Sequence, residues 1–273
     1  MGQEALGVAA VTLRLRAAGC VFAEEEAELL VAAGTDPARL ETLVERRELG
    51  APLEHVLGWG LFAGRRVLVE PGVFVPRRRT ELLARTAASA AAAVVGHRPV
   101  VVDLCCGSGA IGAVVADSVG DLELHAVDAD PLAVGCARRN LPDDAVVAVG
   151  DLYAGLPGDL AGRVDVLAAN APYVPTGELD LMPAEARLHE PGLALDGGPD
   201  GLDVHRRIAL DAPRWLAPAG RLLIEVGEDQ LTATRRILGE AGLRVRVLRS
   251  AALDARVVVG ALTRRPRLRV VAT

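Results

Sequence analysis

Apolar positions follow two different periods along this chain, and the change between them divides it. Over residues 3–50 they recur at helical spacing. Ala5, Val8, Ala9, Thr12, Leu13 and Leu15 predict a helix ending near Gly19, and residues 24–33 predict a second, stopped by Gly34. Asp36-Pro37 reads as an N-cap followed by proline at the first helical position; Leu40, Leu43 and Val44 then mark one face, and Gly50 closes the helix just before Pro52. The prediction is a small lobe of about three helices over residues 1–56. Between residues 57 and 80 the pattern changes. Leu61-Phe62 and Val67-Leu68-Val69 flank Ala63 to Arg66 as a hairpin, and Pro71-Gly72 and Pro76 punctuate the stretch after it. A helix over 82–95 opens the second domain, residues 81–273.

Within that domain, short aliphatic runs alternate with helical patterns. Strands are predicted at 100–104, 123–128, 145–149, 164–169 and 221–226, with helices at 110–119, 131–140, 205–216 and 231–241. Such alternation predicts an α/β fold built on a parallel, doubly wound sheet. Runs at 244–248 and 256–262 are joined by a short loop, so they are expected to pair antiparallel.

Candidate chemistry sits where these strands end. The run at 164–169 leads into Asn170-Ala171-Pro172-Tyr173. A buried strand gains nothing from an asparagine at its tip unless the amide has a partner. A turn closing the strand, with Tyr173 packed as a lid, is the plainer explanation. Upstream, Asp103-Leu104-Cys105-Cys106-Gly107-Ser108-Gly109 joins a strand to a helix whose free N–H groups point toward a ligand. Asp128, about twenty residues further on, ends the next strand, where a carboxylate accepts from two ribose hydroxyls. Asp151-Leu152 ends the third, with a carboxylate for an exocyclic amine and an apolar face for a ring, or simply a capped turn. Gly107-x-Gly109-x-x-Gly112 matches the dinucleotide fingerprint, so a nicotinamide-dependent oxidoreductase is one possibility. Asp103 would sit badly beside a pyrophosphate but well beside an ammonium, and the tetrapeptide has no part in hydride transfer. S-adenosylmethionine accounts for Asp103, the glycines, Asp128 and the tetrapeptide together.

Composition narrows the rest. The chain has 273 residues; aromatics make up only 3%, so the core must be built from Ala, Val and Leu. All 30 basic residues are arginines, and the formal net charge of −6 argues against a protein that coats nucleic acid. Cys20, Cys105, Cys106 and Cys136 show no metal-ligand spacing and read as small apolar residues of a reducing compartment. No run is long enough to span a bilayer and no leader is evident, which predicts a cytoplasmic protein without a metal. Arg264 to Arg269 reads as a solvated extension, with ribosomal RNA as a second possibility.

Several runs carry a family resemblance from about residue 46 to residue 262. They are Arg47-x-x-Gly50-x-Pro52-Leu53, Val75-Pro76-Arg77-x-x-Thr80-Glu81, Arg187-x-x-Glu190-Pro191-x-x-Ala194-Leu195 and Gly197-Gly198-Pro199-Asp200-Gly201-Leu202-Asp203. With the tetrapeptide, similar to Asn-Pro-Pro-Tyr, the chain resembles the HemK/PrmC family of protein-(glutamine-N5) methyltransferases. The resemblance implies a Rossmann-like class I S-adenosylmethionine-dependent methyltransferase with a helical lobe that docks a peptide chain release factor. Asn170, Ala171, Pro172 and Tyr173 would then bind and activate the substrate amide, and Asp103, Cys105, Gly107, Ser108, Gly109, Asp128, Asp151, Leu152 and Asn170 would hold the cofactor. Three departures stand out. Ala171 replaces the first proline, Cys105 stands at the first loop glycine, and the helical lobe is about one helix shorter. Arg187 and Glu190 are expected to pair with each other. A methyltransferase of amino groups on nucleic-acid bases and a cofactor-binding module without turnover remain as alternatives.

Overall fold

A computed structural model describes residues 7–262; Ala5 and the arginine-rich run at 264–269 lie outside the described residues. The amino-terminal part consists of α1 (Val8–Ala17), α2 (Ala23–Ala33), α3 (Pro37–Glu48) and a one-turn helix the periodicity did not predict, α4 (Leu53–Leu57). Asp36 caps α3 by accepting from the Arg39 N–H at 2.8 Å, as its position before Pro37 requires. Leu15, Leu30, Leu43 and Val44 are fully or almost fully buried in a core of their own. At 8% exposure Arg47 is buried among them. Its Nε and Nη2 donate to both Glu26 carboxylate oxygens at 2.6 and 3.1 Å, and its Nη1 donates to the Ala51 carbonyl at 3.1 Å.

The hairpin is β1 (Trp59–Phe62) and β2 (Arg65–Leu68). Its loop is two residues, Ala63-Gly64, shorter than the four expected; both take positive φ, the conformation that matches the twist of paired strands. After α5 (Glu81–Ala92) come β3 (Val100–Leu104), α6 (Ala110–Val119), β4 (Glu123–Asp128), α7 (Pro131–Asn140), β5 (Val146–Val149) and β6 (Val164–Ala169). A short helix, α8 (Ala184–His189), precedes α9 (Asp203–Trp215), β7 (Leu216–Glu225), α10 (Leu231–Glu240), β8 (Leu243–Ser250) and β9 (Ala255–Leu262). β7 begins five residues before the predicted strand, because Leu216 pairs with Val164 ahead of a register shift.

The seven strands run in the order β5-β4-β3-β6-β7-β9-β8. β9 is antiparallel to both β7 and β8, and the other pairings are parallel. β3 is buried on both faces, which is why it reads as an unbroken aliphatic run. One face packs on α5 and α6 through small alanine contacts; the other packs on α9 and α10. There Tyr153 stacks on Trp215 with centroids 5.6 Å apart and donates from its hydroxyl to the Ile208 carbonyl at 2.7 Å. Among the described residues no helix is long and apolar enough to cross a membrane.

Replacing Arg47 leaves the Glu26 carboxylate buried without its partner. Arg47→Ala is expected to destabilise the chain by about 3 kcal/mol or more, read from the shift in the urea unfolding midpoint. A shift under a third of that would show that the pair is not a mainstay of the lobe.

Candidate active site

β3 and β6 lie side by side in parallel, with Leu104 opposite Ala169. The chain leaves β3 toward one side of the sheet and β6 toward the other, so a crevice opens at their carboxyl ends. A cavity of about 830 Å³ occupies it. The loops after β3, β4, β5 and β6 form its inner wall, and residues 182–195 border its outer side.

Cys105, Gly107 and Ser108 line the cavity; Gly109 does not. A Cβ on Gly109 would press on Ala137 and Leu141 at 3.1–3.2 Å, so this glycine serves the packing of α6 on α7. Cys105 holds φ +54°, a left-handed conformation uncommon for a side-chain-bearing residue. Burial pushes its thiol well above the usual range, so it is no nucleophile at neutral pH. The Ser108 hydroxyl is buried with no hydrogen-bond partner among the described residues. Asp128 ties the loop together: Oδ2 accepts from the Gly107 N–H at 2.8 Å and Oδ1 from the Asp130 N–H at 2.9 Å. Burial raises its pKa, and those N–H groups hold the rise back. Leu152 lies on the wall at φ +52°. Asp151 also lines the cavity, but its Oδ2 accepts from Arg207 Nη2 on α9 at 2.6 Å.

Asp103 is placed differently from the expectation of an ammonium partner. It is wholly buried beneath the loop and does not line the cavity. Oδ2 accepts from the Gly112 N–H at 2.9 Å in the first turn of α6, and Oδ1 has no partner among the described residues. Burial pushes its pKa up to about 8.

On the other side of the crevice all four residues of the tetrapeptide line the cavity. Asn170 Nδ2 faces the Thr80 hydroxyl at 3.4 Å, which leaves Oδ1 buried without a partner among the described residues. Among the described residues no N–H donates to the Ala171 carbonyl. Tyr173 is fixed from three directions. Arg79 Nη2 donates to its hydroxyl at 2.5 Å, Gln230 Nε2 donates to its carbonyl at 2.7 Å, and Gly201 packs on that carbonyl. A Cβ at Gly201 would stand 2.3 Å from the Tyr173 carbonyl oxygen, at φ +71°, so only glycine fits. Val174 continues the fixation, its N–H donating to the Leu195 carbonyl at 2.9 Å.

The sequence points to no role for Arg79, Gln230, Arg207 or Glu225, and places Arg77 only within a family motif and Thr80 there and at the start of α5. The run Pro76-Arg77-Arg78-Arg79-Thr80 was the available signal, three cations and a hydroxyl on the connector that faces the crevice. Glu190 does not pair with Arg187. It is buried and pairs with Arg77, because the segment 183–191 folds back on the connector. Burial raises the Glu190 pKa against the opposing pull of Arg77.

The lining suits S-adenosylmethionine on its own terms. The cavity has the size of a small-molecule site. Ser108 Oγ and Asn170 Oδ1 are buried polar atoms that nothing within the described chain satisfies, and the loop holding Ser108 is pinned from behind by Asp128.

The buried Asp103 carries a pH dependence. The folded carboxyl keeps its proton up to about pH 8, whereas an ordinary aspartate releases it near 3.8. The folded state therefore binds the extra proton between those values. Its stabilising contribution is complete below the lower value and lost as pH rises through the upper one. Asp128, Glu190 and Glu225 shift the same way. In Asp103→Asn, which keeps the acceptor for Gly112, the fall in melting temperature across this window is expected to be shallower than in the wild type. Parallel profiles would overturn the assignment.

The chain matches the family model described as Methyltransferase small domain over residues 64–198. It is 38% identical over 193 residues to the release factor glutamine methyltransferase of Streptomyces coelicolor, covering 71% of this chain and 69% of the relative. With the protein of the same description from Mycolicibacterium smegmatis it shares 36% over 246 residues, 84% and 86% of the two chains. The 4-amino-L-phenylalanine/4-methylamino-L-phenylalanine methyltransferase of Streptomyces pristinaespiralis is 35% identical over 85% of this chain and 80% of its own. Among solved structures, the T. Thermophilus 16S rRNA N2 G1207 methyltransferase in complex with AdoMet and guanosine shares the fold, with a TM-score of 0.53 at 20% identity over 75% of this chain and 49% of that one. At these identities and coverages, the chain belongs to the HemK/PrmC family of S-adenosylmethionine-dependent methyltransferases, in which the release factor glutamine methyltransferases fall.

Proposed function

We propose that this enzyme methylates the side-chain amide nitrogen of a protein glutamine, the one in the Gly-Gly-Gln motif of a peptide chain release factor. The observation that carries this reading is that Asn170 and Ala171 both line the cavity while Asn170 Oδ1 is buried without a partner among the described residues. Two neighbouring acceptors suit a group with two N–H donors. A primary amide is such a group, but its nitrogen lone pair is delocalised into the carbonyl and attacks poorly. Accepting one N–H each, Asn170 Oδ1 and the Ala171 carbonyl draw that nitrogen toward tetrahedral geometry and aim its lone pair across the cavity. Pro172 stiffens the turn, and Tyr173, held by Arg79 and Gln230, closes on the amide plane. On the opposite wall Cys105, Gly107, Ser108, Asp128, Asp151 and Leu152 would hold S-adenosylmethionine, which would supply the electrophilic methyl group. The nitrogen then releases a proton to solvent, so no base is required at transfer.

The outer border of the cavity supports a protein substrate. Leu181, Leu188 and Leu193 are exposed on the segment that also contributes Met182 and Pro183 to the wall, an apolar rim suited to a polypeptide rather than to a phosphate backbone. An aryl amine free amino acid is the second reading, favoured by the pristinaespiralis relative, because such an amine also presents a conjugated NH₂.

Tritium-methyl transfer onto a release factor separates the two readings. Transfer is expected to the glutamine of Gly-Gly-Gln, located by fragmentation mass spectrometry, and not to a factor carrying glutamate there. Transfer to 4-amino-L-phenylalanine alone would install the second reading. Asn170→Ala is expected to keep S-adenosylmethionine affinity within a few-fold in calorimetry while losing about 10²-fold or more in kcat. Full activity in that variant would remove Asn170 from the chemistry.

A further inference from the structure

Asn140 is the last residue of α7, and its side-chain amide reaches two other parts of the chain. Oδ1 accepts from the Leu68 N–H at 2.8 Å and Nδ2 donates to the Leu68 carbonyl at 2.9 Å, so the amide pairs with the end of β2 much as a neighbouring strand would. Nδ2 also donates to the Ser108 carbonyl at 2.9 Å. These contacts fix which end of the amide is which, because the Leu68 N–H only donates and the two carbonyls only accept. The Ser108 carbonyl stands four residues before Gly112, whose N–H would ordinarily close the first turn of α6 on it. Asp103 Oδ2 takes that N–H instead, at 2.9 Å, and no backbone N–H donates to the Ser108 carbonyl among the described residues. Asp103 and Asn140 thus divide one helical hydrogen bond between two side chains. The loop is held at two consecutive residues, Gly107 by Asp128 and Ser108 by Asn140. Gly107 and Ser108 line the cavity, and Asn140 does not.

We infer that Asn140 is a positioning residue for the cofactor: it supplies the donor that α6 does not, and so fixes the Ser108 peptide and the curve of the loop against which S-adenosylmethionine lies. A loop whose carbonyl lacks a donor gains by closing onto the helix start, which draws the wall away from the cavity. No other side chain of this size fits the position. Aspartate has the shape and can accept from the Leu68 N–H, but it sets a carboxylate against two carbonyl oxygens. Leucine offers neither donor nor acceptor. The inference rests on the reading of this loop as the cofactor wall, and it is independent of which group accepts the methyl.

Asn140→Asp tests it, since the acceptor for Leu68 stays and both donors go. S-adenosylmethionine affinity in calorimetry is expected to fall about tenfold, as for a lost hydrogen bond that leaves an acceptor unpaired, while kcat at saturating cofactor stays within a few-fold of the wild type. Arg65→Ala is the control for the hairpin. Arg65 Nη1 donates to the Ala113 carbonyl at 2.9 Å and to Asp117 at 2.7 Å, so it holds β2 on α6 without touching the loop. That variant is expected to lower the melting temperature and leave cofactor affinity unchanged. A readout on the cofactor-free protein runs alongside. The Gly107 and Gly109 N–H groups, bonded to Asp128 and to the Cys106 carbonyl, are expected to exchange with solvent faster in Asn140→Asp and Asn140→Ala than in the wild type or Arg65→Ala. Unchanged exchange in both Asn140 variants overturns the inference, as does wild-type cofactor affinity in Asn140→Asp. An equal loss of affinity in Arg65→Ala also overturns it, because the effect would then belong to the hairpin as a whole. If S-adenosylmethionine leaves the exchange of these amides unchanged in the wild type, the loop is not the cofactor wall and the inference falls with that reading.

Discussion

The parallel pairing of β3 with β6 is the constraint on which the site depends. Leu104 opposite Ala169 brings Cys105 and Asn170 to the same edge of the sheet, although the sequence separates them by more than sixty residues. Because the order reverses between these two strands, no helix caps the crevice between their ends. The donor half and the acceptor half of a transfer reaction therefore face each other across a gap made by topology. Only the side chains on each wall remain to be specified by local sequence.

Those walls are where the fold departs from its own local rules. Cys105 and Leu152 hold left-handed backbone conformations, and Asp103 and Glu225 are carboxylates buried far beyond what their hydration favours. Elsewhere the same chain obeys ordinary packing, with alanines on α5 and α6 closing tightly on the sheet and the exposed edge of β8 carrying Arg244, Arg246 and Arg249. Strained backbone and buried charge on the walls of a packed scaffold are what preorganised sites require, since the rest of the molecule must hold such residues in place.

The parts legible in the sequence share one property, a regular period. β3, β4, β6, α6, α7 and the Asp36 cap stand where the pattern of apolar residues and helix signals placed them. The tetrapeptide was legible for the opposite reason, as polar residues where a buried strand offers nothing to pair with. Contacts made by the returning segment were not legible. Glu190 reaches Arg77 rather than Arg187, and Gly201 and Gln230 both close on the Tyr173 carbonyl, because residues 174–202 fold back over the crevice in short turns too brief to set a period. Asp103 misled for a related reason. Its place at a strand end was right, but strand alternation alone does not say whether such a residue faces the cavity or the helix start, and here the Gly112 N–H takes it.

Donor and acceptor counting also bears on how the proposed reaction selects its substrate. Two adjacent acceptors reward a group bearing two N–H donors. Glutamate has the length and shape of glutamine but would bring a carboxylate's lone pairs against those of Asn170 Oδ1 and the Ala171 carbonyl. A site built to hydrogen-bond a particular group rejects the analogue lacking it far more strongly than an apolar pocket rejects a missing methylene, because buried acceptors are then left unpaired or opposed. That rejection works only while Asn170 keeps its oxygen toward the cavity, for a flipped amide would greet a carboxylate with its NH₂. The selectivity of the site and the orientation of one side-chain amide are on this account the same physical quantity.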